Sequence, residues 1–130
     1  MKKLMFTVLA VLVTASTGVA NEQPVQKEVQ IGLSGVFVPG GFDSNSDTYV
    51  VASGVFPNGC YRWSRSETVA RDTFTHEINS KAIVTQGMCI MVLVPFQKDI
   101  RLGKLVAGKH TLRFMNGDGT YFEKSVQIEE

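Results

Sequence analysis

The sequence predicts an all-β fold, a single antiparallel β-sandwich, and three observations predict it. Short runs rich in Val, Ile, Thr, Tyr and Phe recur from Thr48 onward: TYVVASGVF, CYRWS, TFTHEI, MCIMVLVPF, KHTLRFM and TYFEKSVQI. Turn-forming residues interrupt them at Pro39-Gly40-Gly41, Pro57-Asn58-Gly59, Gly87, Gly103 and Asn116-Gly117-Asp118-Gly119, the rhythm of a sandwich or barrel. Beyond the N-terminal segment, no window sustains the ~3.6-residue period of an amphipathic helix.

The chain opens with Lys2 and Lys3, then the apolar run LMFTVLAVLV, then the small-residue stretch TASTGVA. That order is the order of a secretory signal, with a cut expected after Ala20. The run is shorter than the ~20 residues of a comfortable bilayer span, so no stable membrane insertion is expected. Residues 1–20 are therefore assigned to a signal peptide, 21–28 to an N-terminal extension and 29–130 to one domain, periplasmic or secreted.

Charge excludes one class of partner. The 13 basic residues include Lys2 and Lys3, whereas all 12 acidic residues follow Ala20, so the exported chain carries 11 against 12. A near-neutral chain lacks the dense positive field that phosphate-backbone binding requires, so no nucleic-acid partner is expected, and the balance gives no reason to expect an anionic membrane partner.

Export also decides the chemistry of Cys60 and Cys89, the two cysteines of the chain. In an oxidising compartment they pair as a disulfide, closing a loop of about 30 residues that stabilises the fold by roughly 3.5 kcal/mol in the chain-entropy model. A structural zinc would want four close ligands, and only His76 and His110 are on offer. A catalytic thiol would need a basic partner.

Each later run has its own logic. In CYRWS, Tyr61 and Trp63 share one parity and Cys60, Arg62 and Ser64 the other, so burying the aromatics leaves the bridge at the periphery. His76 in TFTHEI shares parity with Phe74 and Ile78 and reads as a half-buried core residue, while His110 reads as a solvated edge residue. MCIMVLVPF is apolar on both parities and is expected to be a central strand covered on both sides, or one that crosses from sheet to sheet, its pairing stopping or bulging at Pro95. The final hairpin registers Phe114 against Phe122, Arg113 against Glu123 and Thr111 against Ser125, each a favourable pair. Gly117-Asp118-Gly119 is then a three-residue loop with Gly119 left-handed.

The strand rhythm, the tryptophan of CYRW and the closing hairpin AGKHTLRFMNGDGTYFEKSVQI resemble the immunoglobulin-like and fibronectin-like β-sandwich modules that bacteria export. The resemblance implies a non-catalytic module working through protein or cell-envelope contacts, without a cofactor. An alternative is an inhibitor of an exported hydrolase, presenting VPGGFDSNSD or the loop around Arg65 to Arg71; a small hydrolase is the residual reading. Candidate partner-binding residues are Tyr61, Arg62, Trp63, Arg65 and Arg71, aromatic and arginine types that dominate binding hot spots. Asp43, Asn45 and Asp47 alternate oxygen ligands as calcium loops do, but Thr48 stands where glycine is needed and Gly54 where a glutamate is needed, so no metal site is assigned. No serine triad or carboxylate pair can be assembled from the motifs, and the chain is not read as an enzyme.

Overall fold

The computed structural model describes Gly18 and residues 24–130. The signal expected over residues 1–20 lies, apart from Gly18, outside the described residues, as does the cut after Ala20. Among the described residues no helix is long and apolar enough to cross a membrane.

Among the described residues, eight strands form two sheets: β1 Gln26–Ile31, β2 Gly35–Phe37, β3 Thr48–Phe56, β4 Tyr61–Ala70, β5 Thr75–Thr85, β6 Val94–Gly103, β7 Gly108–Met115 and β8 Tyr121–Ile128. The larger sheet is built on β5, which carries β4 on one side and, end to end on the other, β7 along its first half and β1 along its second; β8 lies outside β7. The smaller sheet is β2-β3-β6. The fold is all-β, as the strand rhythm predicts, but β5 and β7 pair in parallel. The chain leaves the larger sheet after β5, crosses to the smaller one as β6 and returns as β7, the long crossover that parallel pairing demands.

The core lies between the sheets. Val50 and Ala52 of β3 and Ile100 of β6 face Ile78 of β5, Leu112 and Phe114 of β7, and Val126 and Ile128 of β8, all at most 3% exposed. Strand β3 alternates buried and exposed along its length, as a strand with one wet face must.

The final hairpin has the register read from its side chains: Phe114 opposite Phe122, Arg113 opposite Glu123, Thr111 opposite Ser125. The two rings stack at 5.2 Å, Arg113 Nε donates to Glu123 at 3.0 Å, and Gly119 has φ +89°.

Three expectations are corrected. The run Met88–Leu93 is not a covered central strand: ladder pairing begins only at Val94, and the preceding segment is an exposed loop. Pro95 does not stop the ladder, since it pairs opposite Val55. Strand β6 pairs with β3 alone, so the missing N–H of Pro95 can face the open edge. His110 is not solvated; it is fully buried. The ladder also starts at Gln26, inside the segment assigned to the N-terminal extension.

Candidate functional site

The most unusual surface of the domain is at one end, where β5 runs out through Gln86 and Gly87 and the chain crosses toward β6. Met88, Ile90, Met91, Val92 and Leu93 are 54 to 105% exposed, five large apolar side chains in six residues. Monomeric soluble domains rarely leave so contiguous an apolar patch in water unless it binds something. Val55 and Pro95, opposite one another on the outer face of β3 and β6, extend it.

This tongue is held down at its root. Cys89 is bonded to Cys60, with Cα atoms 5.2 Å apart, and the Ile90 carbonyl accepts from Gly59 N at 2.9 Å. On the Cys60 side, the turn is closed by Asn58 Oδ1 accepting from Cys60 N at 2.9 Å, and the Cys60 carbonyl accepts from Thr85 N at 3.0 Å. The bridge thus ties the β3–β4 turn to the β5–β6 crossing at the periphery, the position that the parity of Tyr61 and Trp63 requires.

Beneath the tongue an aromatic cluster joins the two sheets. Phe96 of β6 stacks on Phe56 of β3 at 4.3 Å and leans on Trp63 of β4 at 5.7 Å, while Tyr61 of β4 stacks on Phe56 at 5.8 Å. Gly54 lies opposite Phe96 in the ladder, and a Cβ there would collide with the Phe96 ring. The glycine is the floor on which the ring rests. Tyr61 and Trp63 are therefore half-buried members of an inner cluster.

The candidate arginines are not gathered with them. Arg62 is exposed beside the tongue and donates to Gln26 Oε1 at 3.3 Å. Arg65 grips Glu28 through two bonds, Nη2 to Oε1 at 2.9 Å and Nε to Oε2 at 3.3 Å, and also meets Glu67. Lys81 completes this network on the outer face. The Arg65 guanidinium, helped by the Ser64 hydroxyl, lowers the Glu28 carboxyl to about 2. Arg71 pairs with Glu77 beyond the far end of β4, roughly 30 Å of extended chain from Tyr61. A bulge at Ser64 explains why Arg65 faces outward although its sequence parity is that of Trp63: Trp63 pairs with Ala82 and Arg65 with Lys81, skipping one residue.

The Asp43 loop is a folded turn. Asp43 Oδ1 accepts from Asn45 N at 2.9 Å and from the Ser46 hydroxyl at 3.0 Å, bonds that lower its carboxyl pKa. Ser44 N donates to the Glu129 carbonyl, and Glu129 N to the Phe42 carbonyl, so VPGGFDSNSD is pinned to the end of β8. Among the described residues no group of three or more His, Cys, Asp or Glu side chains could hold a metal ion.

The two histidines meet at the opposite end of β5. His76 Nε2 and His110 Nδ1 are 2.9 Å apart, and His110 Nε2 lies 2.7 Å from the Val106 carbonyl. A carbonyl can only accept, so His110 Nε2 carries a proton, its Nδ1 accepts, and His76 Nε2 donates. Parity places His76 on the core face but gives no sign of this partner, which arrives through the parallel pairing of β5 with β7.

A family model described as ORF11 beta-sandwich domain matches residues 50–128, from β3 through the last strand. No curated protein and no solved structure matches the chain.

Proposed function

We propose, for a chain that belongs to the ORF11 β-sandwich domain family, a non-catalytic role as an exported contact module that binds its target through the tongue Met88–Leu93. The carrying observation is that five large apolar side chains stand in water on a loop whose root is fixed by the Cys60–Cys89 bond. Fixing the root lowers the ordering cost of binding, which is how a short loop becomes an effective contact. The N-terminal order of charge, apolar run and small residues supports export, and a disulfide suits an oxidising compartment.

One feature weighs against catalysis. The histidine rings bond to one another and to Val106 in a buried place, with no nucleophile in that chain of bonds. The inhibitor reading receives no support from VPGGFDSNSD, which is tied to β8.

The test is retention of envelope components by immobilised protein, compared with Met91→Ser/Leu93→Ser. Loss of retention in the variant, with an unchanged melting curve, supports the tongue as the contact; equal retention refutes it.

A further inference from the structure

The tongue's chemistry narrows the kind of partner. From Ala82 to Gln97, and from Thr48 to Tyr61, the chain carries no charged residue, so the whole end of the sandwich built from these segments is uncharged. Protein hot spots are enriched in Trp, Tyr and Arg, with Leu and Val under-represented; apart from the bridged Cys89, the tongue consists of Met, Ile, Val and Leu. Such side chains suit a partner that offers apolar volume without directional bonds.

Among the described residues, charge around the tongue is one-sided. The first charged side chains on the strands leading back from this end are Lys27 and Arg62, which flank β5 opposite Val84 and Ile83 and are both exposed. Among the described residues, the first acid on these strands, Glu28, is paired with Arg65 and Lys81. An apolar tip with a basic rim is complementary to a lipid surface with anionic headgroups. The chain also enters the fold here: the Val25 carbonyl accepts from Gln86 N at 2.9 Å, and Val25 is 61% exposed.

We infer that the tongue Met88–Leu93 docks on the interface of an anionic lipid bilayer, inserting side chains while its backbone stays at headgroup level. Depth is limited by the backbone, because the tongue makes no ladder and its free N–H and C=O groups need water or headgroups. This inference rests on the tongue being the contact surface.

The exported protein, its N terminus read by mass spectrometry, would be sedimented with vesicles of phosphatidylcholine alone and of phosphatidylcholine mixed with phosphatidylglycerol. Binding is expected to the mixed vesicles, weakening with added salt. Met91→Ser/Leu93→Ser should lose roughly tenfold or more, without the repulsion an acidic substitution would add. Lys27→Gln/Arg62→Gln should lose the preference for the anionic lipid and keep the melting curve. Failure of the native protein to bind either vesicle overturns the lipid inference. If the serine variant then still loses its envelope partner, the contact role stands without the lipid. A serine variant equal to the native protein in both vesicle binding and envelope retention overturns both.

Discussion

His76 Nε2 donates a hydrogen bond of 2.9 Å to His110 Nδ1, and the pair forms a buried chain ending on the Val106 carbonyl. It connects the start of β5 with β7 and with the segment that leads into β7.

Burial, and next the neighbouring His110, push the His76 pKa below its ordinary value; Asp72 opposes them. The unfolded chain therefore binds a proton that the folded chain resists. Stability is complete above about pH 6.5, the unfolded histidine value, and falls as pH drops from there toward the depressed folded value. Melting scans from pH 8 to pH 5, about the range in which histidine titrates, should show this fall, and His76→Gln should flatten it. His110→Ala should cost about 3 kcal/mol, because it opens a cavity and strands the Val106 carbonyl and the His76 donor.

Reduction of the Cys60–Cys89 bond, or its replacement by Cys60→Ala/Cys89→Ala, should lower stability by about 3 kcal/mol in denaturant titration, given the 29-residue separation of the two cysteines. The fold should survive, because the core between the sheets does not include either cysteine. Thiol titration of denatured, unreduced protein should find no free thiol. Proteolysis should become fastest between Gly87 and Leu93 once the bond is gone, since the root of the tongue is then tied only by backbone bonds.

Gly54→Ala should destabilise by about 1–3 kcal/mol, although alanine is the milder residue in an ordinary strand. The added methyl group meets the Phe96 ring, which must leave its 4.3 Å stack on Phe56. Combining it with Phe96→Leu should recover part of the loss, a coupling that a double-mutant cycle measures.

Gly119→Val should lower the melting point more than Asp118→Ser. Gly119 has φ +89°, which a β-branched residue adopts only under strain. Asp118 contributes its carboxylate to Thr120 N at 2.9 Å, a bond that a serine hydroxyl can partly replace. Equal shifts would contradict the turn geometry.

The sequence by itself determined what depends on neighbours along the chain or on a single pairing: the β class, strand β3 from Thr48 to Phe56, the register of the last hairpin, and the union of Cys60 with Cys89. Phe114 with Phe122 and Arg113 with Glu123 announce their register because a slip of one residue would turn each partner to the other face. Polar strands such as β1 and the second half of β5, with Ser80 and Ala82 inward, carry too little apolar contrast to be legible. Only the tertiary structure decided which apolar residues are covered. Met88–Leu93 and KHTLRFM are both apolar enough for a core, yet the first is left outside because Cys89 is held at the turn beside Cys60, away from any facing sheet. His110 is buried because β7 returns alongside β5 and brings it against His76. Coverage is a property of the strand that arrives from elsewhere, and no local pattern of side chains records it.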